Sequence, residues 1–278
     1  MKHILIPTDF SDNSWNALAY AIELFKKESC SFYILHIGEL RESTVASNSF
    51  TFPVKKVHTS IREKLTLLSK RIKELPEKDN HHFIALQEYG NFISTIRKTV
   101  EEKKIDLLVM GTKGASGLKA AIVGSNTGDV ITKVPCNVLV IPENARMKTP
   151  EKIAFPTDYN LFYTHSILEN LTEMLRITQA PLQILNVFQG GIPLTNEQQT
   201  NKSYLKDYLE ETFPNSHNFH RVADRDIRSS IVNFVADNRV EMLIMVAKNL
   251  NFFQQLLFDT SVKKLSFHTT VPLLVLHE

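Results

Sequence analysis

The sequence predicts an α/β protein: two open parallel sheets in series, each with helices on both faces. Three observations predict it. Short apolar runs alternate with segments of helical period, the pattern that winds a parallel sheet through crossover helices. The chain also repeats itself: ILIPTD at 4–9 returns as IAFPTD at 153–158, and DLLVM at 106–110 as EMLIM at 241–245. Val134-Pro135 before CNVLVIP is echoed by Val271-Pro272 before LLVL. Finally, the polar stretch ENARMKTPE, 143–151, has no apolar period and carries a proline, which is linker composition. Two domains follow, 1–143 and 152–278, as two copies of one unit rather than one large fold.

Each element of the first copy has a local cause. HILI, 3–6, is a strand ended by Pro7. Trp15, Leu18, Ile22 and Phe25 recur at helical spacing, and Ser11 or Asp12 can cap that helix. SFYILHI, 31–37, is a second strand; Val57, Ile61, Leu65, Leu68 and Ile72 mark a second helix. HFIALQ, 82–87, is a weaker strand, followed by a helix through Ile93, Ile96 and Val100. DLLVM is a fully buried strand, a short helix runs from Ser125 to Lys133, and NVLVI, 137–141, closes the copy. Strands of the second copy are expected at 152–155, 181–187, 217–222, 241–246 and 272–276. Right-handed crossovers make each sheet open and twisted. The stretch 38–53 has no period and reads as a lid, a binding loop or a plain surface loop; 190–202 holds the matching place.

Composition narrows the function. The 278 residues include 43% apolar and 22% charged, enough for a buried core. A net charge of +2, from 32 basic and 30 acidic residues, argues against a nucleic-acid coat or a membrane-surface binder. Cys30 and Cys136 stand far apart, with no CxxC, so they read as buried hydrophobes in a reducing compartment. MKHILIPTDF reaches Pro7 and Asp9 too early for a signal-peptide core, and no apolar run is long enough to cross a bilayer. A cytoplasmic location is expected.

The chemistry is expected at GTKGASGLKAAIVGSNT, 111–127. Ligands of open parallel sheets bind beyond the carboxyl ends of the strands, where strand order reverses. Two loops qualify: Pro7-Thr8-Asp9 and the loop beginning at Gly111. Gly111, Gly114 and Gly124 can turn at positive φ and bring bare amides to phosphate oxygens. Ser125, Asn126 and Thr127 open a helix whose unpaired N–H groups and dipole attract an anion, and the Ser125 and Thr127 hydroxyls can add hydrogen bonds. Lys113 and Lys119 either screen phosphate charge or are plain surface lysines. Asp9 suits ribose hydroxyls or a magnesium ion; helix capping is its ordinary alternative. The loop is neither GxxxxGK[ST] nor GxGxxG, so the glycines alone leave a flexible connector equally open.

With all these residues in view, the chain resembles the universal stress protein family, in a tandem form with two such domains. The resemblance rests on G-x2-G-x9-G-[ST] through Gly111, Gly114, Gly124 and Ser125, on Pro7-Thr8-Asp9, on His36-Ile37, and on VPCNVLVIP. It implies five parallel strands per domain in the order 3-2-1-4-5, a Rossmann-like arrangement of the adenine nucleotide alpha hydrolase type, with ATP in the cleft. It places Thr8 and Ile37 near adenine, and Asp9 near adenine or ribose. Gly111, Gly114, Gly124, Ser125 and Asn126 fall near the phosphates, with Met110 closing the wall. It also implies edge-to-edge pairing of 137–141 with 272–276; a homodimer is left open.

The second copy departs from this pattern. Pro156-Thr157-Asp158 persists, but Val246, Asn249 and Asp259 replace the glycines, with Thr260 in the place of Ser125. Added Cβ atoms and a carboxylate there oppose a phosphate, so this half is expected to bind ATP weakly or not at all. Phe252, Phe253 and Phe258 read as core or interface. His81-His82 and His217-x2-His220 point to opposite strand faces, so neither pair converges on a metal. His36 reads as packed or hydrogen-bonded, and Lys70-Arg71-Ile72-Lys73 as a wet helix face. No catalytic set can be assembled from spacing. The favoured function is a nucleotide-binding regulatory protein. A slow ATPase or a nucleotidyl or phosphoryl transferase is the alternative, and a scaffold with a vestigial cleft the third.

Overall fold

The computed structural model describes residues 1–38, 54–75, 80–112, 125–188, 193–224, 226–247 and 271–278. The N-terminal half runs β1 (Lys2–Pro7), α1 (Asp12–Leu24), β2 (Cys30–Gly38), α2 (Val54–Lys73), β3 (His81–Tyr89), α3 (Phe92–Lys103), β4 (Leu107–Gly111), α4 (Ser125–Lys133) and β5 (Asn137–Ile141). The C-terminal half runs β6 (Ile153–Pro156), α5 (His165–Thr178), β7 (Leu182–Phe188), α6 (Asn196–Thr212), β8 (His217–Ala223), α7 (Ile227–Asp237), β9 (Met242–Val246) and β10 (Leu273–Leu276).

All ten strands form one sheet, ordered β3-β2-β1-β4-β5-β10-β9-β6-β7-β8. Read outward from the centre, each half has the same strand order, and it is the order that the family resemblance implies. Neighbours within a half are parallel. At the centre β5 and β10 run antiparallel, Leu273 opposite Val140 and Val275 opposite Val138. Each edge that a separate five-stranded sheet would leave bare there is satisfied by the other.

The central strands are apolar on both faces because helices cover both. One face packs Ile4, Ile6, Phe32 and Ile34 under α1, and Phe155 and Ile184 under α5. The other packs Leu5, Leu35, Leu108 and Met110 under α3 and α4, and Leu185 and Met245 under α7. Leu18 and Ile22 of α1 are buried at the predicted spacing; each such side chain contributes about 1.5–3 kcal/mol over the exposed state. Ser11 caps α1, accepting from Ser14 N. Asn91, Thr164 and Asp226 cap α3, α5 and α7 in the same way.

One stretch differs from expectation. Within 190–202, matched above with an aperiodic loop, residues from Asn196 are helical. The cause is a reciprocal cap: Thr195 Oγ1 accepts from Gln198 N, and Gln198 Oε1 accepts from Thr195 N. The first turns of α6 carry little apolar surface, so hydrophobic period does not reveal them. From Glu39 to Pro53 the aperiodic stretch lies outside the described residues, as do Phe252, Phe253 and Phe258.

Candidate functional site

Strand order reverses between β1 and β4, so their carboxyl ends open side by side. β1 delivers Pro7, Thr8 and Asp9 to that point. Thr8 N donates to Leu35 O at 2.8 Å, which carries the strand ladder one residue past Pro7. Thr8 is 8% exposed, and its Oγ1 accepts from Phe10 N and pairs with Ser14 Oγ, both at 3.0 Å. Phe10 takes a left-handed φ of 64°, the sharp turn that sends the chain into α1. Asp9 is exposed; its Oδ1 accepts from Ser11 N at 3.0 Å and from Ser11 Oγ at 2.6 Å. Asp9 therefore steadies the residue that caps α1 and is not itself the cap.

β2 ends beside this loop. A ring nitrogen of His36, Nδ1, lies 2.9 Å from Thr8 O. A carbonyl only accepts, so Nδ1 carries the proton. The imidazole packs on Phe10, with centroids 4.6 Å apart, and Lys64 Nζ lies 5.5 Å from the centroid of that phenyl ring. His36 is thus a packed, hydrogen-bonded residue, as its place at a strand end suggested. Ile37 packs on the opposite face of the sheet, with the cluster that holds Leu5, Leu35 and Met110. Ile37, expected near adenine, and Met110, the expected wall residue, therefore share one face, the face that α4 covers.

Gly111 ends β4, opposite Ile141. Its backbone is not left-handed; Gly90 is the positive-φ glycine among the described residues. Space is what excludes a side chain. A Cβ on Gly111 would lie 2.7 Å from Asn13 Nδ2 and 2.9 Å from Asn13 O, so only glycine lets β4 and the start of α1 meet. The expectation of a φ-driven turn at Gly111 is corrected on this point.

The N-terminus of α4 is anchored to the same atoms. Thr127 is 3% exposed, and its hydroxyl donates to Gly111 O at 3.0 Å. Its single proton is committed there, so Thr127 positions the helix instead of donating to an anion. Asn126 is exposed beside it, and Ser125 is the first residue of the helix. Lys133 and Asp129 pair at 2.8 Å in the last turns, with the lysine at the negative end of the dipole. Gly114, Gly124, Lys113 and Lys119 lie outside the described residues.

The C-terminal half reproduces the frame with different contents. Ile4 faces Leu107 in one half and Ile153 faces Met242 in the other, which puts Val246 in the place of Gly111. Asn186 replaces His36 and donates to Thr157 O at 3.0 Å. Tyr159 repeats the left-handed turn of Phe10, at φ 58°. The β6–α5 loop is longer, and its Tyr163 pairs with Thr157 Oγ1 at 2.7 Å, where Ser14 pairs with Thr8 in the first half. Burial pushes the Tyr163 hydroxyl far above the usual phenol range. Gln198 donates to Asp158 O at 2.8 Å and Asn201 to Tyr159 O at 2.9 Å, so α6 clamps this loop. Asn249, Asp259 and Thr260 lie outside the described residues.

The other candidates separate as follows. His81 is buried against Phe25 O at 3.0 Å and His82 is exposed. His220 Nε2 donates to Gln183 Oε1 at 2.8 Å, while His217 pairs with Phe213 O at 3.2 Å. Among the described residues no three His, Cys, Asp or Glu side chains gather as a metal site. Cys30 and Cys136 are free and buried, and burial pushes both thiols up to about 12. Lys70, Arg71 and Lys73 are exposed around a buried Ile72, and the Arg71 guanidinium lies 4.0 Å from the Trp15 ring centroid. No described helix is long and apolar enough to cross a membrane. Sequence reasoning missed Asn13 and the positioning role of Thr127. Hydroxyls and amides in the first turn of a helix are the signal that marks such residues.

Residues 1–142 match the model of the universal stress protein family. The universal stress protein MJ0531 of Methanocaldococcus jannaschii is 30% identical over 140 residues, which is 50% of this chain and 81% of that protein. YxiE, a universal stress protein of Bacillus subtilis, is 28% identical over 145 residues, covering 50% of this chain and 97% of its own. A crystal structure of a universal stress protein from Archaeoglobus fulgidus superposes over 99% of this chain and 98% of its own, with TM-score 0.73 and 17% identity. That last likeness is one of fold.

Proposed function

Because the chain belongs to the universal stress protein family, we propose that it is an ATP-binding regulatory protein whose nucleotide sits in the N-terminal half. The observation that carries this is the junction at Gly111. A glycine without room for a Cβ ends β4, and the first turn of α4 is tied to its carbonyl by Thr127. That tie holds the unpaired N–H groups of residues 125–127 at the strand-order reversal, where an anion is best stabilised.

The residues present fit the ligand. Ile37 and Met110 supply an apolar wall for a base, and Thr8 and Asp9 polar groups for base and ribose. Gly111, Gly114, Gly124, Ser125 and Asn126 supply backbone to the phosphates. The exposed Asp9 carboxylate is the candidate ligand for an accompanying magnesium ion. Pro7 and Thr127 set the frame.

On this reading residues 1–143 are the nucleotide domain and 152–278 a partner domain that binds ATP weakly or not at all. Val246 at the Gly111 position supports the second half of that statement. Central pairing of β5 with β10 joins the two domains within one chain. A cytoplasmic location goes with two free, buried cysteines.

Titration calorimetry with ATP and magnesium tests the reading. One site per chain is expected, and its loss in Gly124→Asp. Unchanged affinity in that variant, or two equal sites, overturns it. Analysis for ADP or AMP after long incubation separates a binding protein from a slow ATPase or transferase.

A further inference from the structure

We propose that two copies of this chain join through β3, antiparallel and edge to edge, about a two-fold axis at Ala85. The ten-stranded sheet of one copy then continues into that of the other. The argument starts from the two outer edges of the sheet, β3 and β8, which differ in chemistry. An unpaired edge strand offers a row of bare N–H and C=O groups, and monomeric proteins blunt it with charge, proline or a short strand.

β8 is blunted. Its exposed positions are Asn218, Arg221 and Ala223; the Arg221 guanidinium lies 3.8 Å from the Phe188 ring centroid, and His217 lies 3.7 Å from Glu210. β3 is not. It is nine residues long, HHFIALQEY, with no lysine, arginine or proline. Residues 82 to 85 are exposed in succession, so both faces of the strand are open. Phe83 is 39% and Ile84 37% exposed, and Leu67 on α2, the helix that leads toward β3, is 63% exposed. Neither His82 nor Glu88 has an ion-pair partner within the described residues.

The occupant follows from self-complementarity. A two-fold axis at Ala85 sets Ile84 opposite Leu86, Phe83 opposite Gln87 and His82 opposite Glu88, each pair twice. Directly opposite residues share a face, so Ile84–Leu86 and His82–Glu88 lie together on one side of the joined sheet. No like charges meet. The small Ala85 on the axis lets the backbones approach to the usual Cα separation of about 4.5–5.5 Å. An isologous contact of this kind closes at two copies and leaves β8 outermost.

The test uses the full chain. Sedimentation velocity across a concentration series should show a reversible dimer. Ile84→Asp, at an exposed position, should raise its dissociation constant at least about tenfold by facing two carboxylates into the apolar pair, while the thermal melt of dilute protein stays unchanged. Ala85→Cys should give a disulfide-linked dimer under mild oxidant, since Cα atoms at that spacing can be bridged and Cys30 and Cys136 are buried. Asn218→Cys on the opposite edge should not. A wild-type chain that stays monomeric at every concentration overturns the proposal, including the case in which β3 serves an extended segment of another protein. So does a dimer indifferent to Ile84→Asp, or one cross-linked through Asn218→Cys.

Discussion

Gly111 meets Asn13 so closely that a Cβ on the glycine would stand 2.7 Å from the asparagine amide nitrogen and 2.9 Å from its backbone oxygen. The backbone oxygen is the harder obstacle, since a helix start cannot rotate away as a side chain can. Gly111→Ala should therefore cost about 1–3 kcal/mol, the range for overpacking a filled site. Combining it with Asn13→Gly should recover part of that loss, because only the side-chain clash is removed. Urea midpoints of the two single variants and the double variant measure both effects.

Thr127 gives a second test at the same junction. Thr127→Val keeps the shape but removes the proton that Gly111 O accepts. Loss of one such hydrogen bond costs about 1 kcal/mol, plus desolvation of the abandoned carbonyl. Thr127→Ser should restore it. If Thr127 positions α4 for a nucleotide, affinity falls in the valine variant and returns in the serine variant. Calorimetry beside denaturant curves on both variants checks this.

These two residues also show what was legible in the sequence. Alternating strands and helices follow from periodicity, which is written in residue type; the order of each five-stranded run does not, and came from the resemblance to the universal stress protein family. The role of Gly111 was not, since a sequence cannot say which neighbour needs the space; here it is Asn13, ninety-eight positions earlier. Thr127 looked like a phosphate donor because a helix-opening hydroxyl has either use, and only the 3.0 Å contact decides. The start of α6 was hidden for a different reason: a capping box, not an apolar stripe, sets it. His36 needed only its position at a strand end to be read correctly.

Lys2 and Glu173 connect the halves away from the central strands. Lys2 Nζ lies 2.7 and 2.6 Å from the two carboxylate oxygens, with 16% and 40% of the side chains exposed. Partial burial limits screening without imposing the full desolvation cost of a core pair. A double-mutant cycle of Lys2→Met and Glu173→Gln should give a coupling of about 1 kcal/mol, smaller in 1 M salt. Thermal melts at low and high ionic strength read the difference.

Acid should weaken the fold before the carboxylates titrate. Burial holds the His277 imidazole below the usual histidine range, against a smaller opposing pull from a backbone hydrogen bond at Ile131. His220 is lowered as well, first by burial and then by Lys152. A histidine kept neutral in the fold and protonated when unfolded contributes in full above its unfolded pKa, about 6.5. That contribution is lost as pH falls from there toward the depressed folded value. Glu241 and Asp226, held low, weaken the fold only in the lower carboxylate range. For Glu241 burial is the largest single influence and pushes upward, but the hydrogen bonds from Lys148 and the Glu151 backbone, with the charges of Lys148 and Arg146, together outweigh it; for Asp226 the hydrogen bonds from Ser229 dominate. Stability measured between pH 7 and 5 should decline, and His277→Gln should flatten that slope while leaving the later acid limb in place.

The strand ends beyond the site carry a complementary exchange that can be tested by transplant. In the N-terminal half Gly38 faces Tyr89, and a Cβ on the glycine would lie 2.7 Å from the ring. In the C-terminal half Phe188 faces Ala223 at the same register, so the aromatic has moved from the edge strand to its neighbour. Gly38 has no left-handed φ, so among the described residues the space that Tyr89 fills is what constrains it. Gly38→Phe alone should destabilise by about 1–3 kcal/mol through overpacking. Tyr89→Ala alone should lose buried ring area. If the two halves solve one packing problem in mirrored ways, the double variant should be more stable than the sum of the singles predicts, by about 1 kcal/mol or more. Strict additivity in the denaturant midpoints would mean that the two positions do not share the space.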